Sequence, residues 1–353
     1  MLRTLLIAAC SLIVAVATAG AATSPAYILV DAGRGSVLAH EDADRRWPPA
    51  SVTKVMTAYL TFKALKAGQL TLTSPVVVSA NASREPPSKM GYKPGTVVTV
   101  DNALKMMLVR SANDIAVALA ETVGGSEANF VQLMNAQAKA LGMNGSQFRN
   151  PNGLPADGQY STARDLAVLA RATWMEFPQY REYFAIPAIQ AGNKVLRNYN
   201  ILIDHYRGSN GMKTGFICAS GFNVVASATK NGRTLIAVVL GETSATQRAV
   251  AAAALLDRGF NGLFNGVLAQ NLSRFKTRPS PQPPVNLRAE VCGAKRQRGE
   301  NEAVASLGPR FETMPPVPVF TGGADAKAAN VAPALASTGG GTVNIPLPRP
   351  RPR

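Results

Sequence analysis

The sequence predicts an α+β fold in which an antiparallel sheet packs against a cluster of helices. Strand-like apolar runs lie near both ends of residues 25–267, and segments with helical periodicity fill the region between them. Two late runs, "SGFNVVASAT" and "RTLIAVVLGE", are joined through Asn231-Gly232, the strongest short-range signal for a tight β-hairpin. Composition changes near residue 270, so the compact domain is expected to end there.

The first hairpin is predicted in "AYILVDAGRGSVLAH", which alternates around the turn Gly33-Arg34-Gly35. "ASVTKVMTAYLTFKALKAG" predicts a helix that ends at Gly68, and "VDNALKMMLVR" predicts a helix with Asp101 as its cap. Apolar periodicity predicts further helices in "NDIAVALAETVGG", "SEANFVQLMNAQAKALG", "STARDLAVLARATW" and "TQRAVAAAALLDRGF".

Residues 1–21 have the layout of a secretory signal peptide, with one basic residue, an apolar run and then small residues. Ala17-Thr18-Ala19 and Ala19-Gly20-Ala21 are candidate cleavage sites. The alternative is an uncleaved membrane anchor, although the run is shorter than the roughly 20 residues that a span needs. The protein is therefore expected to be exported, to the periplasm or the cell envelope.

The charge balance is strongly basic, with a formal net charge of +16 and a pI of ≈ 10.1. Nucleic-acid binding is one explanation, but export and the lack of a recognition motif argue against it. Attraction to anionic polymers or lipids of the cell envelope is favoured instead. The two histidines, His40 and His205, stand apart in the sequence, so neither a metal site nor a cofactor is expected.

The C-terminal region is rich in proline, glycine and basic residues. Residues 271–353 hold 13 of the 24 prolines, and the chain ends in "PLPRPRPR". Because such a composition buries little apolar surface, residues 296–353 are predicted to form a disordered tail. This tail is either a plain linker or a basic arm that holds the protein peripherally at the anionic envelope.

Cys218 and Cys292 would remain after the signal peptide is removed. In an oxidising compartment two such cysteines are expected to pair, and the alternative is two separate thiols. The predicted disulfide would fold residues 268–295 back onto the compact domain near Cys218. Disorder would then begin only after Cys292.

Three short motifs carry the candidate chemistry of the chain. Ser-x-x-Lys occurs at Ser51/Lys54, Ser227/Lys230 and Ser273/Lys276. Ser-x-Asn occurs at Ser79-Ala80-Asn81 and at Ser111-Ala112-Asn113, and Lys-Thr-Gly occurs at Lys213-Thr214-Gly215. Of the Ser-x-x-Lys copies, only Ser51 precedes both a Ser-x-Asn motif and the Lys-Thr-Gly motif. The order of the motifs therefore selects Ser51 and Lys54.

Ser51 and Lys54 are separated by almost one helical turn, so both side chains are expected on one face. The pair fits a nucleophile and its base if the pKa of Lys54 is depressed. Burial and a second cation, for which Lys213 is the candidate, would both lower that pKa. Ser111 is a candidate proton relay between the nucleophile and the leaving nitrogen.

Four residues are candidates for binding the substrate. The Asn113 amide would hold the substrate backbone, while Lys213 and Thr214 would offer a positive charge and a hydroxyl to an anionic end of the substrate. Gly215 would let the ligand approach the strand closely.

These motifs, in this order, are associated with penicillin-interacting serine enzymes. The segments "SANDIAVALAETVGGSEANFVQLMNAQAKALGMNGSQFRNPNGLPADGQYSTARDLAVLA" and "NGMKTGFICASGFNVVASA" closely resemble the low-molecular-mass D-alanyl-D-alanine carboxypeptidases, serine peptidases of the S11 type. The resemblance extends from about residue 26 to about residue 262. It implies a β-lactamase/transpeptidase-like fold for residues 25–267 and a substrate among peptidoglycan stem peptides.

The resemblance also implies an acyl-enzyme mechanism without metal or cofactor. Ser51 would attack the carbonyl between the last two D-alanines of a stem pentapeptide, and Lys54 would take its proton. The backbone amides of Ser51 and Phe216 would hold the oxyanion. Arg248 resembles an arginine that the family uses near the substrate carboxylate, and the alternative for Arg248 is a solvated helix residue. β-Lactams are expected to be covalent inhibitors.

Two positions depart from the pattern of the family. Ile217 stands where Thr or Ser is common, which puts one substrate hydrogen bond in question. Asn152 stands where histidine is common, which is expected to be a loop variation without catalytic meaning. A second β-rich domain and a C-terminal amphipathic helix, which many relatives carry, are not visible in the tail sequence.

Three other functions stay open at this point. A D,D-endopeptidase that cleaves crosslinks between stem peptides would use the same residues. A class A-type β-lactamase would need a glutamate and an asparagine on a loop between the second and third motifs, and no glutamate in that interval has the expected pattern. A catalytically silent envelope-binding protein would not need the complete set of Ser51, Lys54, Ser111 and Lys213.

Overall fold

The structure is a computed structural model that describes residues 24–262, 270–275, 282–293 and 307–322. The expected signal peptide at residues 1–21 and most of the tail predicted over residues 296–353 lie outside the described residues. Among the described residues, no helix is both long enough and apolar enough to cross a membrane.

A five-stranded antiparallel sheet forms the central layer, with the strand order β2-β1-β9-β8-β7. Its strands are β1 (Ala26–Asp31), β2 (Val37–Glu41), β7 (Ser209–Ile217), β8 (Gly221–Lys230) and β9 (Arg233–Glu242). Two smaller sheets contain β3 (Pro75–Val77) with β4 (Val97–Thr99), and β5 (Ala188–Ala191) with β6 (Lys194–Arg197) and β10 (Val317–Val319). Because β1 pairs with β9, strands from the two ends of the domain lie side by side, and the predicted α+β fold is confirmed.

Both predicted hairpins are present. β1 pairs with β2 across the turn Gly33-Arg34-Gly35, where the Asp31 carboxylate accepts a hydrogen bond from Arg34 N at 2.9 Å. β8 pairs with β9 across Asn231 and Gly232, whose φ angles are 51° and 74°. Positive φ at both central residues is the requirement that makes Asn-Gly the preferred sequence of such a turn.

Helices cover both faces of the central sheet. They are α1 (Lys54–Lys66), α2 (Ala80–Ser83), α3 (Val100–Val109), α4 (Asn113–Gly124), α5 (Glu127–Ala140), α6 (Ala163–Glu176), α7 (Leu202–His205), α8 (Ala245–Phe260) and α9 (Arg288–Cys292). Side chains alternate along a strand, so β1 sends Ile28 into the core shared with α1 and α6 and Leu29 into the core under α8. The sheet is therefore buried on both sides.

Helix α1 lies inside the helical layer and contacts α4, α5 and α6. Its side chains are buried along almost the whole helix, and its Phe62 stacks on Tyr180 with 4.8 Å between ring centroids. The segment before it, Ala50–Thr53, is a 3-10 turn and not the α-helix that the sequence predicts. Since α1 starts at Lys54, the fold carries this lysine directly into the core.

The predicted cap of α3 is wrong by two residues. Thr99 is the N-cap, and its hydroxyl accepts from Asn102 N at 3.2 Å. Asp101 lies in the first turn, where its carboxylate accepts from Lys105 and from the Tyr183 hydroxyl, both at 2.6 Å. Both residue types favour helix starts, so the choice between them depends on tertiary partners that the local sequence does not specify.

The predicted disulfide between Cys218 and Cys292 is present, with a sequence separation of 74 residues. Residues 282–293 lie against the domain beside it. Val285 N donates to Arg46 O at 3.1 Å, and Leu287 N donates to Ala219 O at 2.9 Å. The disulfide and these hydrogen bonds tie the chain before Ser51 to the turn that follows β7.

Residues 307–322, the C-terminal strap, differ from the disordered tail expected over residues 296–353. Val317–Val319 forms β10, which pairs in parallel with β5. Val319 is buried and Pro318 is exposed. The physical reason is local: an apolar residue on either side of a proline suffices for a short edge strand, and an edge strand tolerates the missing N–H of proline.

Further contacts hold the strap along its length. Arg310 forms an ion pair with Asp204 at 2.7 Å, and Phe311 N donates to Asp204 O at 2.9 Å. At the other end, Gly322 N donates to Val97 O at 2.7 Å. The strap therefore connects α7 with the small sheet of β3 and β4.

Replacing both Cys218 and Cys292 by serine should lower the free energy of unfolding. A bridge across 74 residues contributes about 4 kcal/mol in the chain-entropy model, although measured gains are often smaller. Urea unfolding of the two proteins under oxidising conditions measures the difference. The reduced wild-type protein is the control, and its midpoint should match that of the double variant. Equal midpoints for the oxidised wild type and the double variant would contradict the structural role.

Candidate active site

Three separate segments of the chain bring the three motifs together. Ser51 lies on the 3-10 turn before α1, Lys54 begins α1, Ser111 lies between α3 and α4, and Lys213 lies on β7. Lys54 Nζ is 2.9 Å from Ser51 Oγ, and Lys213 Nζ is 2.9 Å from Ser111 Oγ. Asn113 completes the second motif with a hydrogen bond to Lys54 Nζ at 2.7 Å. The other Ser-x-x-Lys copy in the described core, Ser227/Lys230, lies on β8.

The amine of Lys54 has three oxygen neighbours. Besides Ser51 Oγ, these are Asn113 Oδ1 and the backbone carbonyl of Asn152, both at 2.7 Å. A neutral amine has two N–H groups and one lone pair. The two carbonyl oxygens accept only, so they take the two N–H groups and leave the lone pair for the hydroxyl proton of Ser51. The geometry therefore suits the acceptance of a proton from Ser51.

Lys54 is completely buried, and its pKa lies well below the ordinary value. Burial is the larger cause of this lowered pKa, and the charge of Lys213 is the next. The carboxylates of Glu85 and Asp114 act in the opposite direction and raise the pKa of Lys54. Both causes anticipated from the sequence, burial and a second cation at Lys213, are therefore present.

Lys213 is also buried, and its pKa is lowered to about 7, by burial first and by the charge of Arg248 second. Its Nζ donates to Ser111 Oγ and to Thr214 O, each at 2.9 Å. Ser111 has a φ of 58°, in the left-handed region that non-glycine residues seldom adopt. This unusual conformation of Ser111 accompanies the close approach of its hydroxyl to Lys213.

Strand β7 lies at the edge of the central sheet, directly against the turn that carries Ser51. A Cβ on Gly215 would lie 2.9 Å from Ser51 N and 3.0 Å from Pro49 O. Only glycine permits this approach without a backbone shift. The next residue along the strand, Phe216, is partly exposed, and its ring stacks on Phe222 at 4.2 Å.

Arg248 is buried, so the solvated alternative considered for it does not hold. Its guanidinium donates to Tyr199 O at 3.2 Å and lies 5.7 Å from the ring centroid of Phe222. Burial lowers the pKa of Arg248 to about 10. Because the charge of Arg248 acts on Lys213, the two cations lie close together.

Asn152 lies beside the base, because its backbone carbonyl accepts a hydrogen bond from Lys54 Nζ at 2.7 Å. The Asn152 side-chain amide in turn donates to Glu85 Oε2 at 2.8 Å. Glu85 and the Asn152 carbonyl are both missed by the sequence interpretation. The one signal was the departure from histidine at this position, and a main-chain contact leaves no trace in the residue type.

The sequence model of the D-alanyl-D-alanine carboxypeptidase family, peptidase S11, matches residues 13–244. D-alanyl-D-alanine carboxypeptidase DacC of Escherichia coli (strain K12) is 39% identical over 250 residues, which cover 67% of this chain and 60% of the relative. DacF of Bacillus subtilis (strain 168) is 34% identical over 238 residues, or 66% of this chain and 61% of the relative. The chain thus spans about 60% of the length of these curated relatives.

Solved structures show the same fold. Penicillin binding protein 5 from Haemophilus influenzae superposes with a TM-score of 0.65 and 35% identity, covering 67% of this chain and 70% of that chain. Penicillin-Binding Protein D2 from Listeria monocytogenes, in its cefotaxime-bound form, gives a TM-score of 0.61 and 29% identity, covering 67% of this chain and 96% of that chain. The β-lactamase/transpeptidase-like fold expected from the sequence is thus confirmed.

Replacing Lys213 by Gln should raise the pKa of Lys54, because it removes a positive charge that disfavours protonation of the neighbouring amine. Lys213 carries its charge below about pH 7, so the protonated fraction of Lys54 should differ most between the two proteins in that range. An NMR titration of proteins carrying ¹³Cε-labelled lysine measures the pKa, with the Lys54 signal identified by its loss in Lys54→Arg. Lys213→Arg keeps a positive charge at every pH of the titration and should hold the pKa of Lys54 at or below the wild-type value. A pKa that is equal in all three proteins would refute the coupling.

Proposed function

The chain belongs to the D-alanyl-D-alanine carboxypeptidase family, peptidase S11, and we propose that it removes the terminal D-alanine from peptidoglycan stem pentapeptides through an acyl-enzyme on Ser51. The observation that carries this proposal is the set of contacts around the buried amine of Lys54. Two carbonyl oxygens lie at 2.7 Å from Lys54 Nζ and Ser51 Oγ lies at 2.9 Å, so a neutral amine would donate to both carbonyls and accept the proton of Ser51.

The proposed reaction has two halves. Ser51 Oγ bonds to the carbonyl carbon of the penultimate D-alanine and passes its proton to Lys54, while the backbone amides of Ser51 and Phe216 stabilise the oxyanion. The C–N bond then breaks, and the amine of the last D-alanine leaves with the proton that Lys54 delivers through Ser111. Water next attacks the acyl carbon, a proton returns to Ser51 Oγ, and the shortened peptide is released.

The free carboxylate of the last D-alanine would bind at the Lys213 end of the site. Lys213 and Arg248 supply positive charge there, and Thr214 supplies a hydroxyl. Asn113 has a double role in this proposal. Its Oδ1 holds Lys54, its Nδ2 donates one hydrogen to Pro86 O at 2.9 Å, and the second Nδ2 hydrogen remains for the substrate backbone.

β-Lactams would act as covalent inhibitors of the same serine. When the lactam ring opens, the departing amine stays attached to the acyl group beside the ester. Because it hinders the attack of water, the adduct should persist for minutes or longer. The cefotaxime- and ampicillin-bound forms of the Listeria relative support the binding of β-lactams. A disulfide supports an oxidising, exported location, and the basic tail would favour peripheral association with anionic envelope polymers.

Ser51→Ala should abolish both labelling by fluorescent penicillin and release of D-alanine, because it removes the nucleophile and leaves the fold intact. Ser227→Ala is the matched control. Ser227 belongs to another Ser-x-x-Lys copy, and its buried hydroxyl has no hydrogen-bond partner in the structure, so its loss should change neither readout. A gel assay with purified proteins decides the matter, and a covalent penicillin adduct on Ser51→Ala would refute the assignment.

Products from purified muropeptides should separate a carboxypeptidase from an endopeptidase. A carboxypeptidase removes one D-alanine from pentapeptide monomers, whereas an endopeptidase splits crosslinked dimers. We expect monomers to lose the mass of one alanine while dimers stay joined, as resolved by mass spectrometry, with Ser51→Ala as the blank. Split dimers with intact pentapeptides would assign the endopeptidase activity instead.

A further inference from the structure

Glu85 lies two hydrogen bonds from the amine of Lys54. The Asn152 carbonyl accepts from Lys54 Nζ at 2.7 Å, and the Asn152 Nδ2 donates to Glu85 Oε2 at 2.8 Å. Glu85 follows α2, and Asn152 lies in the loop between α5 and α6, so two distant segments meet beside the base. Neither residue belongs to the three motifs, and the reaction proposed above assigns no step to either of them.

The loop that carries Asn152 is packed tightly against the catalytic turn. Gly153 has a φ of 84°, and a Cβ at this position would lie only 1.8 Å from Ala50 O. Within the loop, Leu154 N donates to Asn152 Oδ1 at 3.0 Å. Because this bond orients the side-chain amide, Asn152 Nδ2 points out of the loop and towards Glu85. The Glu85 carboxylate thus gives the loop a second attachment, besides its close approach to Ala50.

The position of the Asn152 carbonyl matters because it decides which way the lone pair of Lys54 points. A displaced carbonyl would free one N–H group of the amine, and that N–H could then turn towards Ser51 Oγ in place of the lone pair. Asn113, the other carbonyl acceptor, is held by its bond to the backbone carbonyl of Pro86, a contact that does not involve the side chain of Glu85. The anchoring of Asn152 is therefore the part of the arrangement that depends on Glu85.

Charged groups face Lys54 from three sides. Lys213 lies on β7, Asp114 on α4 and Glu85 on the segment after α2. Asp114 is held by the backbone N–H groups of Met90, Gly91 and Ile115. The pKa of Glu85 is raised by its own burial and by the nearby carboxylate of Glu127. Glu85 and Asp114 are thus the acids whose charge favours protonation of Lys54.

We propose that Glu85 is a positioning residue for the serine-acylation step, and that it acts through Asn152 by holding the carbonyl that accepts from Lys54. The expected effect on the rate of acylation rests on the proposed function, whereas the expected effect on the Lys54 amine does not. Glu85 touches neither Ser51 nor the reacting bond, and its removal should slow acylation without weakening substrate binding. Its charge should also shift the acid limb of the pH–rate profile, because it raises the pKa of Lys54.

Glu85→Ala and Asn152→Ala should each lower kcat for D-alanine release by about 10- to 100-fold, the scale of loss expected from a small misplacement of a reacting group. KM should stay near the wild-type value. The double variant should lose no more than the worse single variant, because both changes break one chain of hydrogen bonds. Glu121→Gln is the matched control, since Glu121 accepts from the amide of Asn81 and not of Asn152. This control should keep the wild-type kcat.

Glu85→Gln should separate position from charge. A glutamine oxygen still accepts from Asn152 Nδ2, so kcat near the optimum should recover most of the loss seen in Glu85→Ala. The negative charge is gone, however, and the pKa of Lys54 should fall further. Lys54 then stays neutral to lower pH, and the acid limb of the pH–rate profile should move towards lower pH. The ¹³Cε titration of Lys54 should show the same downward shift without any substrate.

Several outcomes would overturn the inference. Independent, additive losses in Glu85→Ala and Asn152→Ala, or wild-type kinetics in both, would show that no chain of bonds reaches Lys54. An unchanged pKa of Lys54 in Glu85→Gln would refute the effect of the Glu85 charge on the amine. A wild-type protein that releases no D-alanine would refute the proposed function alone, because the titration of Lys54 still tests its link to Glu85. If Glu85→Ala does not fold, Asn152→Ala tests the position of the carbonyl and Glu85→Gln tests the charge.

Discussion

The burial of one amine, that of Lys54, constrains the rest of the active site. A charged ammonium in a dry interior is unfavourable, so the fold either surrounds it with acceptors or keeps it neutral. This protein does both, since it supplies two carbonyl oxygens and places the cation of Lys213 nearby. Three features of the fold position the groups around this amine. They are the start of α1 at Lys54, the edge position of β7 and the tight loop at Gly153.

The hairpin, the paired end strands and the disulfide were predicted correctly from the sequence. The Asn231-Gly232 hairpin follows from backbone conformation, and the paired end strands follow from their apolar alternation. Ser51 and Lys54 were selected by the order of three motifs, because each motif alone is too short to be specific. The disulfide followed from two cysteines in an exported chain. Arg248 was selected by its resemblance to a family residue, but the sequence did not predict that α8 buries its side chain.

The remaining features depend on tertiary contacts that have no local signature. The Asn152 carbonyl would be present with any residue at that position, so its contact with Lys54 does not appear in the sequence. Glu85 meets Asn152 across 67 residues of chain, and the order of motifs gives no information on such a pair. Thr99 replaces Asp101 as a cap because Asp101 is engaged by Tyr183. The strap was missed because a short apolar pattern is hidden within a proline-rich composition.

The contacts of the strap show that the packed structure extends beyond the part of the chain that matches the family model. The match to the family ends at residue 244, whereas the folded body continues through the disulfide to residue 322. A chain cut at the end of the match would lose α8, and a chain cut at residue 295 would leave β5 as an uncovered edge available to other molecules. The unit defined by packing contacts is thus larger than the unit that the family model matches.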